Sequence, residues 1–250
     1  MFCKFCAETQ GRGGRKRFSL FDFLCVPSVA ALSLSLHRRF SVNLMRFCIG
    51  SIPEDSDFQP TPPVWHILRE PHPGWMQLVA LPFSAVGVLI TQRCWVALAP
   101  AALKFEYQAP ASTHVVAALV GVLGVCVASF VLLIVVHEGI HALVHPGAGR
   151  SPHSMVGAWP RMLLFYAHYL GEMSRTRFIA ILLMPFLVLS PGLALLAAAL
   201  SWPSPVLAAF SLLNALSAGG DLFAVSLLLW QVPPRAITRN RGWKTYWREP

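Results

Sequence analysis

Long apolar segments separated by short polar stretches occupy most of the sequence between residues 76 and 230. Four of these segments reach the length of a membrane-spanning helix, which is about 20 residues, and they lie at 76–98, 115–144, 178–200 and 206–230. Tryptophans, whose amphipathic rings favour the headgroup region, lie near the ends of the segments at Trp75, Trp95, Trp202 and Trp230. The pattern predicts an all-α fold, a multi-pass bundle of about four transmembrane helices.

The composition supports a membrane protein. Charged residues make up 12% of the chain and hydrophobic residues 55%, whereas a soluble domain has about 25% charged residues. The net charge of +9 lies between the apolar segments and at the chain ends, a distribution typical of membrane topology signals. We therefore expect the lipid bilayer as a partner and no nucleic acid. The six cysteines form no disulfide pattern, and the CxxC of Cys3 and Cys6 stands alone.

The basic residues also predict an orientation. They are concentrated before the first segment, in the loop 145–177 and after the fourth segment, whereas the other two loops carry only Lys104, balanced by Glu106, or no charge. By the positive-inside rule, both termini lie in the cytoplasm and the protein is located in the inner (cytoplasmic) membrane. We divide the chain into a cytoplasmic lead-in at 45–75, a transmembrane domain at 76–230 and a basic cytoplasmic tail at 231–250.

The first 44 residues fit this topology poorly. Residues 18–36 are apolar enough for a fifth span, but the basic residues before them would then lie outside the cytoplasm. A signal peptide is a second interpretation, although no clear cleavage site follows. A third is that the chain begins at Met45 and residues 1–44 come from an over-extended reading frame. We slightly favour the third hypothesis.

The second apolar segment contains the sequence HEGIH, which places ionisable groups where they are costly. Four residues along a helix correspond to a rotation of about 400° and a rise of about 6 Å, so His137 and His141 share one face. Two imidazoles so placed can bind one zinc ion, and Glu138 can act as the general base. The alternative is a pair of core histidines satisfied by hydrogen bonds, with Glu138 paired to one of them.

A catalytic zinc site needs a third protein ligand. Asp221 is the strongest candidate because it is the only charged residue in the fourth segment, where Gly219 and Gly220 permit close helix packing. Asn214 either bonds Asp221 or orients a substrate. We expect His145 to be an interfacial or supporting residue, and the remaining reserve ligands are His153, His168 and Glu172.

Two prolines interrupt the third segment, Pro185 and Pro191. Proline removes a backbone donor and loosens a helix, so these residues predict a local cleft. Transmembrane helices also tolerate proline without any functional role.

Three stretches together resemble a known family: VVHEGIHALVHP, RFIAILLMPFLVLSP and NALSAGGDLF. They are similar to small bacterial membrane proteins grouped as zincin peptidases of unknown function, and the resemblance covers about residues 58–230. More distantly, they are similar to site-2-type intramembrane metalloproteases. The resemblance implies zinc on His137, His141 and Asp221, with Glu138 catalytic. One departure is that glycines precede the aspartate here, whereas site-2 proteases usually have Asp-Gly.

The sequence therefore predicts a zinc-dependent membrane peptidase. It would cleave a membrane-embedded or membrane-adjacent peptide near the cytoplasmic face. Two alternatives remain: a membrane protein with a structural zinc site, and a small metal transporter. The sequence specifies neither the substrate nor the oligomeric state.

Overall fold

The computed structural model describes residues 45–104, 115–162 and 164–250. The doubtful segment 1–44 lies outside the described residues, so its three interpretations stay open.

The described helices follow the four predicted segments. Two are single helices, α1 (Pro73–Leu98) and α2 (Val115–Val144). The other two segments are each a bent pair, with a bend of 41° between α3 (Arg175–Leu189) and α4 (Pro191–Ala199), and of 45° between α5 (Pro205–Ser217) and α6 (Gly219–Gln231). Two helices are long and apolar enough to cross a membrane, or up to four if each bent pair is one span.

The prediction of an all-α fold is confirmed only in part, because two small sheets accompany the helices. The first has the order β1-β3-β4, formed by Arg46–Ile49, Ser154–Trp159 and Leu164–Tyr169. Here β1 pairs with β3 in parallel, and β3 pairs with β4 antiparallel. The second is antiparallel with the order β2-β7-β6-β5, formed by His66–Ile67, Lys244–Arg248, Ile237–Arg241 and Met173–Ser174.

The strands lie in the stretches that sequence reasoning treated as lead-in, loop and tail. In the predicted tail, Thr238 and Asn240 alternate with less buried residues along β6, as expected of a strand with one covered face. The backbone N–H of Leu68 donates to the carbonyl of Thr245 at 2.9 Å. The tail and the lead-in therefore form one folded sheet rather than two separate extensions.

A close contact between α1 and α6 positions the start of α6. A Cβ added at Gly219 would clash with the Ser84 Oγ and lie 2.9 Å from the Ala80 carbonyl oxygen, so only glycine permits this approach. The same Ser84 hydroxyl donates to the Leu216 carbonyl at 2.8 Å. The sequence predicted close helix packing at this glycine, and the helix that packs there is α1. The contact fixes the first turn of α6, which carries Asp221.

Helix α2 is exposed along most of its length and packs through its C-terminal turns. Val116, Leu123 and Val131 are each more than half exposed, whereas Leu133, His137 and His141 are buried. An apolar helix exposed in this way matches a lipid environment. The polar residues of α2 thus lie in the part of the helix that is packed against the rest of the protein.

Two arginines at the start of α3 hold the ends of two other helices. The buried Arg175 donates to the carbonyls of Leu228 and Leu229 in α6, both at 3.2 Å. The exposed Arg177 donates to the carbonyls of Val144 and His145, at 2.8 and 3.2 Å, where α2 ends. Positive charge is favourable at the C-terminal end of a helix. One short segment therefore fixes the ends of the helix that carries HEGIH and the helix that carries Asp221.

Candidate metal centre

Three side chains from two helices meet at one point. His137 and His141 project from the last turns of α2, and Asp221 projects from the first turn of α6. The Asp221 Oδ2 lies 3.0 Å from the His137 Nε2 and 3.3 Å from the His141 Nε2. The two Nε2 atoms are 3.2 Å apart. These are the three residues that the sequence singled out as candidate ligands, and the structure places their donor atoms in a nearly equilateral triangle.

The other ring nitrogen of each histidine identifies the tautomer. The His141 Nδ1 lies 2.8 Å from the Ile181 carbonyl, which can only accept, so the Nδ1 is protonated. The His137 Nδ1 lies 2.8 Å from the Asn214 Oδ1. The amide nitrogen of Asn214 donates to the Pro185 carbonyl, which orients the amide and makes His137 the donor to it. In both neutral imidazoles the Nε2 therefore presents a lone pair to the triangle.

This arrangement fits a metal ion. Three lone-pair atoms within 3.3 Å of one another repel unless a cation or protons lie between them. Ligand atoms at about 2.0–2.1 Å from a tetrahedral zinc ion are about 3.3 Å apart, close to the three observed distances of 3.0, 3.2 and 3.3 Å. Two imidazoles and one carboxylate are also a donor set suited to zinc.

Glu138 lies beside this triangle. Its carboxylate and one ring nitrogen of each histidine lie within 4.8 Å of one another, and together they form a possible metal-binding group among the described residues. The Asp221 oxygen is closer to both nitrogens, at 3.0 and 3.3 Å, so we assign the third corner to Asp221. Glu138 is then left free to face the cavities that open beside it.

Two cavities meet at His137 and Glu138. The first, of about 250 Å³, extends toward the second sheet and is lined by polar side chains that include Glu70, Asn240 and Thr245. The second, of about 570 Å³, extends along α2 and is mostly apolar, with Phe130, Leu133, Ile134, Pro160 and Phe165 in its lining. The first cavity carries more polar groups than the second, and we call them the polar cavity and the apolar cavity.

Glu70 is the second carboxylate of the polar cavity. It accepts hydrogen bonds from the Thr245 backbone N–H at 3.0 Å and from the Thr245 hydroxyl at 2.8 Å. Burial raises the pKa of Glu70 to about 7. Glu70 therefore changes its charge near neutral pH.

The reserve ligands lie elsewhere. His145 is buried, with its Nδ1 3.3 Å from the Ser154 Oγ, and burial lowers its pKa to about 4. His153 is exposed, and Glu172 pairs with Arg248 at 3.0 Å. His168 lines the polar cavity from β4; burial lowers its pKa to about 4, and its Nε2 contacts no hydrogen-bond partner in the described part of the chain. The geometry favours Asp221 over each of them.

Sequence reasoning missed the groups that orient the histidines. Asn214 was expected to bond Asp221 or a substrate, but it bonds His137. An amide within an apolar segment was a visible signal, although its partner could not be identified without the bend between α5 and α6. The Ile181 carbonyl gave no signal, because a backbone acceptor is invisible in a sequence.

Part of the chain matches a known family. Residues 130–237 match a family described as "Putative zincin peptidase". The resemblance to zincin peptidases predicted from the sequence is confirmed over residues 130–237, which contain HEGIH, Asp221 and every reserve ligand. No curated protein and no solved structure gives a significant match to the chain.

Proposed function

We propose that this chain is a zinc-dependent membrane metallopeptidase that cleaves a membrane-embedded or membrane-adjacent peptide near the cytoplasmic face. The single observation that carries the proposal is the triangle of the His137 Nε2, the His141 Nε2 and the Asp221 Oδ2. The match of residues 130–237 to a zincin family supports it independently.

His137, His141 and Asp221 would hold the zinc ion, leaving its fourth position open. Zinc bound there would acidify water and polarise the carbonyl of a peptide bond. Three protein ligands and an open position are typical of catalytic sites, whereas structural sites have four protein ligands. His145, the remaining histidine near the end of α2, is engaged by Ser154, which favours the catalytic interpretation over the structural one.

Glu138 would move the proton. A peptidase of this type needs a base that takes a proton from the attacking water and delivers it to the leaving amine. Glu138 follows the first ligand directly, lies within 4.8 Å of both histidines and lines both cavities. A carboxylate in this position reaches the reacting water without occupying a corner of the triangle.

The substrate would lie between α2 and β4. Among the described strands, β4 pairs with β3 on one side only, so its other edge is unpaired within the first sheet. Residues of β4 line both cavities. A free edge offers main-chain hydrogen bonds to an extended peptide. The apolar cavity along α2 would accept apolar side chains, which a peptide segment leaving the membrane would carry.

The proposed location is the inner membrane, with both termini in the cytoplasm. The apolar length of α1, α2 and the two bent pairs supports a membrane location. The basic residues of β6 and β7 follow α6, and under the positive-inside rule they support a cytoplasmic position for this end.

Metal content measured by plasma mass spectrometry tests the ligand set. Detergent-purified wild-type protein should contain about one zinc per chain, as three ligands imply, and Asp221→Ala should contain little. Glu138→Gln is the matched control, because it should keep the metal. Zinc retained by Asp221→Ala would show that another residue is the third ligand.

Peptide hydrolysis tests the catalytic role. The substrate is an internally quenched apolar peptide in detergent micelles, and wild-type protein should cleave it with an increase in fluorescence. The cleavage rate of Glu138→Gln should be at least a hundredfold lower, as expected when a general base is removed. Full activity of Glu138→Gln would rule out this mechanism. Zinc uptake into proteoliposomes that is lost in His141→Ala would instead favour a transporter.

A further inference from the structure

A proline in α3 lies at the centre of the hydrogen bonds that orient both histidines. Pro185 is fully buried in the middle of α3. In an α-helix the carbonyl of residue i accepts from the N–H of residue i+4, so the partner of the Ile181 carbonyl would be the N–H of residue 185. Proline has no N–H. The Ile181 carbonyl is therefore left without its helical donor.

That carbonyl is the one that His141 uses. The His141 Nδ1 donates to the Ile181 carbonyl at 2.8 Å, the same distance as between the His137 Nδ1 and Asn214. Both groups at this contact are buried. Because the proline withholds the competing donor, the carbonyl is available to fix the His141 ring with its Nε2 toward the triangle.

The carbonyl of Pro185 itself holds the second histidine. It accepts from the Asn214 Nδ2 at 3.2 Å, and the Asn214 Oδ1 accepts from the His137 Nδ1 at 2.8 Å. Residues 181 and 185 are one helical turn apart and lie on the same face of α3. One turn of this helix thus supplies an acceptor for each histidine, directly for His141 and through Asn214 for His137.

We propose that Pro185 is a positioning residue of the metal centre, which reserves the Ile181 carbonyl for His141 by lacking a backbone N–H. This inference rests on the proposed zinc site. Groups that orient metal-binding histidines typically change metal affinity 10–100-fold when removed. Restoring an N–H at residue 185 should therefore weaken zinc binding even though it completes the helix.

The test compares two replacements that have the same side chain, of which only one has a backbone N–H. Pro185→Ala restores the donor, whereas lactic acid at position 185, introduced by nonsense suppression, has the same methyl side chain but an ester oxygen in place of the N–H. Packing is equally reduced in both. Zinc affinity is measured by competition with a chelator, and the stability of the metal-free protein by thermal unfolding in detergent.

We expect the dissociation constant for zinc to rise at least tenfold in Pro185→Ala and to stay within about threefold of wild type with lactic acid. The metal-free alanine variant should melt no lower than the lactic-acid variant, because an added helical hydrogen bond stabilises it. Lower metal affinity without lower stability is a result that a purely structural role of the proline would not give.

Pro82→Ala is the matched control. Pro82 also lies inside a helix, α1, but it is exposed. The carbonyl that lacks a helical donor because of this proline belongs to Leu78, which is exposed as well. The zinc affinity of the Pro82→Ala variant should equal that of wild type. Equal affinities for the alanine and lactic-acid variants at 185 would overturn the inference. A wild-type protein that binds no zinc would overturn the proposed function and, with it, this inference.

Discussion

The two arginines at the start of α3 allow a prediction about how the metal-bearing helices are held together. We consider replacing each by methionine, which keeps most of the length of the side chain but removes the guanidinium. Arg175 is buried and bonds the end of α6, whereas Arg177 is exposed and bonds the end of α2. The pair differs mainly in burial, since each guanidinium makes two bonds to backbone carbonyls.

The structure gives the size of the expected loss of stability in each variant. A hydrogen bond from a charged donor contributes about 1.5–3 kcal/mol when it is protected from water. The two bonds of Arg175 are both 3.2 Å long, so we take the lower end, about 3 kcal/mol for the pair. Water replaces much of what the exposed Arg177 loses, which leaves about 1 kcal/mol.

The assay is thermal unfolding of the metal-free protein in detergent, followed by tryptophan fluorescence. For a chain of this size 1 kcal/mol corresponds to about 2–4 °C. The melting temperature should therefore fall by about 6–12 °C in Arg175→Met and by about 2–4 °C in Arg177→Met. Arg175→Lys should lie between wild type and Arg175→Met, because lysine keeps the charge but not the planar fork.

Equal effects of the two methionine variants would refute this reasoning, since burial would then have no bearing on the strength of these bonds. A change of less than about 2 °C in Arg175→Met, below 1 kcal/mol, would show that the bonds to Leu228 and Leu229 do not stabilise the fold.

Two further predictions concern buried polar side chains. Asn214→Ala should raise the dissociation constant for zinc about 10–100-fold, because the His137 Nδ1 loses its acceptor; an unchanged constant in chelator competition would contradict this role. Glu70 has a pKa of about 7 in the folded protein, compared with 4.5 for the unperturbed side chain. The stability that this shift contributes is therefore complete below pH 4.5. It is lost as the pH rises through 7, and the free energy of unfolding falls by about 3 kcal/mol. Wild-type protein should therefore lose more stability than Glu70→Gln between pH 5 and 8, and parallel melting profiles of the two would contradict the prediction.

The helices and the candidate ligands could be predicted from the sequence because each depends on a local pattern. The limits of the apolar segments agree with the helix ends to within a few residues, and HEGIH encodes its own geometry through helical spacing. Asp221 was identified because a single carboxylate in an apolar segment is costly unless it has a partner.

The sheets and the orienting groups depend on contacts between distant parts of the chain. Strand β2 contains only two residues and pairs with β7, about 180 residues later, so no local pattern could reveal it. The basic residues of β6 and β7 matched the expectation for a cytoplasmic tail, which concealed the alternation along the strands. Likewise, the role of Pro185 depends on the position of His141, 44 residues earlier in the chain.

The length of α2 has a consequence for how water reaches the reaction. His137 lies 22 residues after Val115, a rise of about 33 Å along the helix, and the hydrocarbon layer of a bilayer is about 30 Å thick. In the proposed orientation the helix has crossed the hydrocarbon by the time it reaches the histidines. Hydrolysis would then take place at the boundary between lipid and cytosol, supplied with water directly from the polar cavity, and the peptide bond to be cut would have to be drawn out of the lipid to that boundary.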